Sequence, residues 1–378
     1  MTFKIGIDVG GTFTDLSLHS EGGELETYKT LSTPEDSSIG VLDGLRLIAE
    51  AKGLTVPALA GQTATIVHGT TVTTNAVLTR GGATCGLITT EGVRDALEMR
   101  RGIREEQYNN RYQNVVPLVP RRLRRPIRGR LDFQGEELTP LSAEDVKAAV
   151  ALFKQSGVDS VAICFMNAFA NPTHEQTAAD IVRALMPEAH LSVSSEVLPT
   201  VRFYDRVSTT ALDAFVGPVL GRYLESLTSR LDEIGFAGVL LIMQSNGGVA
   251  LPEITRKRPA TTLLSGPAAG PRAAARYAQA LGNQDCTVVD MGGTSFDASL
   301  VRGGAAAMNQ DGHIARLRIA LPMLEIVTIG AGGGSIGWID EGGLLRMGPK
   351  SAGALPGPAC YGRGGKLPAC TDADLVLG

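Results

Sequence analysis

Near the start of the chain an apolar run, Ile5-Gly6-Ile7-Asp8-Val9, meets Gly10-Gly11-Thr12, and beyond it apolar residues return at every second position, Leu16 and Leu18. Alternation on both sides of a Gly-Gly pair predicts two strands joined by a tight turn. The same pattern returns far downstream as Val289-Asp290-Met291-Gly292-Gly293-Thr294-Ser295-Phe296-Asp297, followed by Ala298, Leu300 and Val301. Both copies read D-x-G-G-T-x-x-D. A matched pair predicts a duplicated unit whose two turns face one cleft.

Between the copies the hydrophobic period switches repeatedly. Strands are predicted over 4–18 and 24–30, then a helix from about Glu35 to Lys52 with Ile39, Leu42, Leu45, Leu47 and Ile48 on or near one face. A short strand over 64–68 leads through a Thr-rich loop into a helix marked by Val72, Ala76 and Val77. Further strands are predicted at 85–89, 160–165, 191–195 and 238–243, and helices at 91–97, from Ser142 to about Ser156, and from Asn171 to about Met186. Ser142 and Asp145 form a candidate capping box, each satisfying the other's backbone N–H. Residues 208–234 read as helical, and Ser265 to Gly270 opens another helix ahead of the second Gly-Gly turn. Such alternation argues for an α/β fold.

Composition narrows the function classes. The chain has 378 residues, enough for two or three domains, with 43% hydrophobic and 20% charged residues and a net charge of −4. That balance gives no reason to expect nucleic acid or an anionic membrane. Ten arginines between Arg100 and Arg130 form a basic stretch, but it holds Pro117, Pro120 and Pro126 and the acids Glu105, Glu106 and Asp132. Solvated strands and a subunit interface are expected there, with some arginines as candidates to face ATP or an acidic substrate. No apolar run approaches the roughly 18 residues of a membrane span. Five scattered cysteines do not form a disulfide framework, and a reducing cytoplasm is the expected compartment.

The paired motif has chemical content. Glycines let backbone N–H groups approach a polyphosphate, and a Thr hydroxyl donates to phosphate oxygen. Asp8 and Asp290 end matching strands, where a carboxylate holds Mg²⁺ through its waters. His68, at a strand end beside four threonines, is a candidate catalytic group as well as a candidate structural one. The run Gly330 to Ser335 imitates a dinucleotide fingerprint, yet Ile336 to Gly343 reads as strand and turn where the fingerprint needs a helix. Cys360, Cys370, Asp372 and Asp374 are of ligand type, so a transition-metal site including Cys360 is an expectation to test, against incidental thiols.

These residues carry a resemblance. The two D-x-G-G-T-x-x-D motifs, with Leu264-Ser265-Gly266-Pro267-Ala268-Ala269-Gly270 between them, resemble the phosphate-1 loop, phosphate-2 loop and connecting helix of the actin, Hsp70 and sugar-kinase ATPases. His68 to Asn75 (HGTTVTTN), Met243 to Gly248 (MQSNGG), Thr328 to Ser335 (TIGAGGGS) and Pro356 to Gly362 (PGPACYG) look like the ATP-binding subunit of the hydantoinase A, 5-oxoprolinase and acetone carboxylase family. The resemblance implies duplicated ribonuclease H-like domains with an inserted α/β region, divided into 1–198 and 199–378. It implies ATP and Mg²⁺ as cofactors, with Asp8, Asp290 and His68 catalytic. Gly10, Gly11, Thr12, Thr14, Asp15, Gly266, Gly292, Gly293, Thr294 and Asp297 would bind the cofactor, and Thr70, Thr71, Asn75, Asn246, Gly332 and Gly333 the substrate. The implied reaction is phosphorylation of a carbonyl or enolate oxygen of a cyclic amide or ketone, preparing ring opening or carboxylation with a hydantoinase B-type partner subunit.

The chain departs from the family pattern at Val327, where many relatives carry histidine, and at Asp213, where asparagine is common. It stops at Asp372 to Gly378, inside a family motif that relatives continue into an adenosine loop, so an incomplete second half and adenine pocket are expected. Two rivals share the phosphate loops: a sugar or small-acid kinase, and a non-catalytic ATP-gated binding module.

Overall fold

Alternating residues build the first sheet. The computed structural model describes residues 2–23, 25–33, 36–102, 104–353 and 355–378. In it β1 (Phe3–Val9) and β2 (Phe13–Ser20) pair antiparallel through the Gly-Gly turn, and β3 (Leu25–Leu31) pairs antiparallel with β2. After α1 (Ser37–Ala51) and α2 (Val56–Gln62), β4 (Thr63–Thr70) returns parallel to β1 and leads into α3 (Val72–Leu78). The strand start expected at Glu24 and the helix start expected at Glu35 lie outside the described residues. Asp36 begins α1 instead, its carboxylate accepting from the Ser38 N–H at 2.9 Å. Leu42, Leu45 and Ile48 are buried as expected, while Ile39 and Leu47 turn toward solvent.

The chain then leaves this sheet for an inserted layer. It contains β5 (Cys85–Thr90), α4 (Ala96–Met99), β6 (Arg124–Ile127), the ribbon of β7 (Arg130–Leu131) and β8 (Glu137–Thr139), α5 (Ala143–Gln155), β9 (Ser160–Cys164), α6 (Thr173–Leu185), β10 (His190–Val193) and α7 (Ser194–Val197). Its main sheet runs β10-β9-β5-β6, all parallel. Both faces are covered, so β9 is buried at every position and its sequence is a continuous apolar run rather than an alternation. The basic stretch is not uniformly solvated: Arg124 is fully buried and its Nε donates to the Val119 carbonyl at 2.9 Å.

One long helix joins the layers. In α8 (Phe203–Glu233) the first half packs Val207, Ala211, Leu212 and Phe215 into the core of the inserted layer, and the second half packs Leu220, Leu224, Leu227 and Leu231 against the first sheet. Then β11 (Val239–Met243) adds parallel to β4, with β12 (Val249–Ala250) beyond it. The completed order, β12-β11-β4-β1-β2-β3, is ribonuclease H-like. The strands β11 and β12, beyond residue 198, complete a sheet begun at Phe3.

The second half opens with α9 (Pro252–Lys257) and α10 (Ala269–Ala280), which lead to β13 (Cys286–Met291) and β14 (Phe296–Arg302). Short strands follow: β15 (Ala305–Ala306), β16 (Met308–Asn309), β17 (Gly312–Ile314), β18 (Leu317–Ile319), β19 (Met323–Leu324) and β20 (Ile326–Ile329). The hairpin of β21 (Ser335–Ile339) and β22 (Leu345–Ser351) and the helix α11 (Cys370–Leu377) come last. β14 pairs antiparallel with β13 on one side and with β20 on the other. The β17–β18 hairpin is clasped to α8 by Asp205, which is buried and accepts from Arg101 at 2.7 and 2.8 Å and from Arg318 at 3.3 Å. No helix among the described residues is long and apolar enough to cross a membrane.

Candidate functional site

Period-two geometry sorts the first sheet into two faces. Ile5, Ile7, Val9, Leu16 and Leu18 point toward α1 and α8 and are buried. Asp8 and Asp15 therefore point the other way, and the register places them opposite each other. The second copy repeats this register, with Asp290 opposite Asp297. The turns match as well: the Gly10 N–H donates to the Phe13 carbonyl at 3.0 Å, and the Gly292 N–H to the Ser295 carbonyl at 2.9 Å.

The two turns meet. A Cβ on Gly293 would stand 3.1 Å from the Thr12 hydroxyl oxygen, so a larger residue would crowd this approach. Together they line a cleft of about 240 Å³ that also takes in Asp8, Asp15, Asp290, Asp297, Thr71, Gly266, Pro267, Thr294 and Ser295. The turn carbonyls are tied back from it. Ser32 donates its hydroxyl to Gly10 O at 2.8 Å and its N–H to Thr12 O at 3.0 Å. The N–H groups of Gly333 and Gly334 donate to Gly292 O and Gly293 O at 3.0 and 2.7 Å. With the carbonyls held away, the N–H groups of Gly11, Thr12, Gly293 and Thr294 have no acceptor among the described residues, an arrangement suited to an anion.

Charge in the cleft is lopsided. Burial, then Asp15, then Asp290 raise the Asp8 carboxyl to about 6. A divalent cation bridged by water would relieve that repulsion, so the residues present fit Mg²⁺ beside a polyphosphate. The wall over Asp8 is the turn before α10, where a Cβ on Gly266 would lie 3.2 Å from the Thr71 methyl. That wall is stiff: Leu264 is held at φ 58°, its N–H bonded to the Thr74 hydroxyl at 2.9 Å, and the Ser265 hydroxyl donates to Thr70 O at 3.3 Å.

Several expected site residues lie elsewhere. His68 pairs in register with Ile7, not Asp8, and so points into the helix-covered core. It is fully buried, its Nε2 is 2.6 Å from the Tyr223 hydroxyl, and burial lowers its pKa to about 4. His68 does not line the cleft, and its Nδ1 is buried with no hydrogen-bond partner among the described residues. Thr14 faces the same core, its hydroxyl 3.1 Å from that of Ser32, so it steadies the turn from behind. Thr70 is likewise buried. Thr71 does line the cleft, its hydroxyl donating to Val9 O at 3.2 Å, while the exposed Asn75 donates to Thr71 at 3.3 Å. Asn246 closes its own turn by accepting from the Gly248 N–H at 2.8 Å. Gly332 and Gly333 brace the second turn: a Cβ on Gly332 would fall 2.7 Å from Gly292 O.

The expected metal site at Cys360 is not assembled. The Asp372 carboxylate accepts from the N–H groups of Cys360 and Ala369, both at 2.8 Å, and so organises the start of α11. Among the described residues no three His, Cys, Asp or Glu side chains are grouped to hold an ion directly. Of the two family departures, Val327 is exposed on the far face of the second sheet, in register with Val289 and Ala298. Asp213 is buried, raised to about 7 by burial, and accepts from Ser192 Oγ at 2.7 Å and from the Ala260 N–H at 2.8 Å. Neither reaches the cleft.

Sequence reasoning missed Lys29 and Phe13. Both line the cleft, whereas no arginine does among the described lining residues. Lys29 stands opposite Asp15 on β3, and a count of hairpin register back from His19 and Leu25 would have paired them.

A duplicated ribonuclease H-like core with two apposed Gly-Gly-Thr turns forms a cleft suited to an anion. Residues 4–186 match the Hydantoinase/oxoprolinase N-terminal region and residues 206–378 match Hydantoinase/oxoprolinase, and the chain belongs to this family. It is 42% identical over its whole length to the caprolactamase subunit alpha of Pseudomonas jessenii, of which it spans 54%. It is 35% identical to the acetophenone carboxylase gamma subunit of Aromatoleum aromaticum, over 99% of this chain and 53% of that protein. Among solved structures, the ATP-dependent caprolactamase of Pseudomonas jessenii matches with a TM-score of 0.87 at 42% identity, covering 99% of this chain and 55% of that one. A nucleotide-free acetone carboxylase also matches at 0.87, with 28% identity and coverage of 99% and 54%. The chain thus spans about half the length of these relatives.

Proposed function

We propose that this chain binds ATP with Mg²⁺ between its two Gly-Gly-Thr turns, as the ATP-dependent part of an enzyme that opens a cyclic amide or carboxylates a ketone. The observation that carries the reading is the matched pair: Asp8 against Asp15, Asp290 against Asp297, and identical turn hydrogen bonds on both sides of one cleft. Relatives named as caprolactamase, 5-oxoprolinase and acetone carboxylase subunits support the choice of reaction.

When bound, ATP supplies the phosphoryl group that activates a carbonyl or enolate oxygen. The chain's own share is positioning and charge. N–H groups of Gly11, Thr12, Gly293 and Thr294 would orient the phosphates, Asp8 and Asp290 would hold the cation, and Thr71 lines the cleft beside them. Phosphoryl transfer asks for little more from a protein. A hydantoinase B-type subunit is the proposed partner, in keeping with relatives that are themselves named as subunits. The test is ATP hydrolysis by the native complex across lactams, hydantoins, 5-oxoproline and ketones. Stimulation by one of these classes supports the reading; hydrolysis stimulated only by sugars or short acids, or none at all, overturns it.

A further inference from the structure

Four carboxylates line the cleft, Asp8, Asp15, Asp290 and Asp297, and among the described lining residues the one lysine or arginine is Lys29. Its Nζ lies 2.8 Å from Asp15 Oδ1 and 4.7 Å from the centre of the Phe13 ring, and that ring meets Tyr361 edge-on at 6.3 Å between centroids. Phe13 belongs to the first Gly-Gly-Thr turn and Tyr361 to the second half, so the ammonium is fixed where the two halves come together.

We propose that Lys29 is a catalytic residue that releases Asp15 and donates to the terminal phosphoryl group as it transfers, an inference that rests on the ATP reading above. Three features favour it. Its ion pair with Asp15 is open to water, with side-chain exposures of 56% and 52%, and such pairs hold only weakly. The aromatic ring beneath it keeps the cation at the cleft wall when the pair opens. And the cleft otherwise presents only neutral donors to the charge that spreads over the phosphoryl oxygens in the transition state. In the step itself the bond from the terminal phosphorus to the bridging oxygen breaks, ADP leaves with the electron pair, and the acceptor oxygen forms the new bond. Lys29 remains an ammonium throughout, and the proton that the acceptor gives up, from the amide nitrogen or from the carbon beside the ketone, passes to solvent.

The role predicts differential binding: Lys29 should matter more to the transferring phosphoryl than to ADP. In the full chain, Lys29→Met and Lys29→Arg are compared with wild type by calorimetric titration of Mg²⁺–ADP with and without aluminium fluoride, which imitates the group in flight, alongside ATP turnover. Lys29→Met is expected to bind Mg²⁺–ADP within about threefold of wild type, to lose about a hundredfold in the gain from aluminium fluoride, and to lose a similar factor in kcat. Lys29→Arg should keep the charge but misplace it, falling about tenfold. If wild type gains affinity from aluminium fluoride and Lys29→Met gains equally, the role of Lys29 is overturned while the ATP reading stands. If wild type binds neither probe, both fall together. Because Lys29 is half exposed, matching circular dichroism of the variants excludes misfolding as the cause.

Discussion

Replacing Asp8 by asparagine should make the protein more stable and catalytically dead at once. The carboxyl is raised from the ordinary 3.8 to about 6 by burial, Asp15 and Asp290, so the folded chain binds this proton more tightly than the unfolded chain does. The linkage has a definite sign. Stabilisation from the raised group is complete below about pH 4 and is lost as pH rises through 6. Above pH 6 the ionised Asp8 therefore opposes folding. Roughly two pKa units correspond to a ceiling of about 3 kcal/mol. Because the carboxylate meets solvent in an open cleft, screening reduces this to about 1 kcal/mol. Asp8→Asn should then melt about 1 to 2 °C above wild type at pH 8 and equal to it below about pH 4. Saturating Mg²⁺ should raise the wild type and leave the variant where it was. Thermal denaturation followed by circular dichroism across pH, with and without Mg²⁺, reads all three effects. A variant that melts below wild type at pH 8, or a gain that does not change with pH, would refute the crowding of carboxylates on which the argument rests. ATP turnover by the same variant should be abolished, since stability and catalysis make opposite demands on this carboxylate.

Other perturbations separate packing groups from site groups. Tyr223→Phe removes the 2.6 Å partner of the buried His68; it should cost about 1 to 2 kcal/mol in urea denaturation and leave kcat and its pH profile unchanged, whereas a catalytic His68 would shift that profile. Gly332→Ala places a Cβ 2.7 Å from Gly292 O and 2.8 Å from Thr294 N, so nucleotide affinity by calorimetry should fall about tenfold, the loss of roughly one aligned turn hydrogen bond. Asp205→Ala removes the carboxylate shared by Arg101 and the buried Arg318, which keeps Asp311 and the Gln310 carbonyl as partners; equilibrium unfolding should show a loss of about 2 kcal/mol, with ATP affinity per folded molecule preserved.

Local signals in the sequence translated well into local structure. The Gly-Gly turns, the strands that flank them and the rejection of a dinucleotide fingerprint all follow from period and turn chemistry, and Ser335–Ile339 is indeed a strand leading into a turn. Where a side chain's partner lay far along the chain, the reading failed. Ser142 does cap α5 by accepting from the Asp145 N–H at 3.2 Å, but Asp145 does not reach back. Its carboxylate grips the Arg128 guanidinium, and the Ser142 N–H goes to Arg128 O. The strand expected to run to Ser195 ends at Val193, because Ser194 and Ser195 serve the buried carboxylate of Glu175. Helix α8 has no single period because its first half, Asp205 to Gly217, is buried all round while its second half exposes Arg222, Glu225, Asp232 and Glu233. His68 illustrates the limit best. Its motif marks it as interesting, but which face it occupies depends on pairing with β1, which no local pattern encodes.

The two copies of the motif agree where the cleft constrains them and differ where packing does. In the first copy Ile7, Val9, Leu16 and Leu18 lie under α1 and α8. The residues in register with them in the second copy, Val289, Met291, Ala298 and Leu300, form a face on which Val289, Met291 and Leu300 are 62%, 57% and 45% exposed. Yet the turns close with the same hydrogen bond, and the aspartates pair in the same register. The covering of the sheet therefore does not set the turn geometry. What sets it is the bracing of the carbonyls, achieved by unrelated means: Ser32 behind the first turn and the backbone of Gly333 and Gly334 behind the second. Two different devices that leave the same four N–H groups unpaired in residues lining one cleft make sense if those donors are what the fold preserves. An anion with several charges, seated across both turns, is the ligand that would require them.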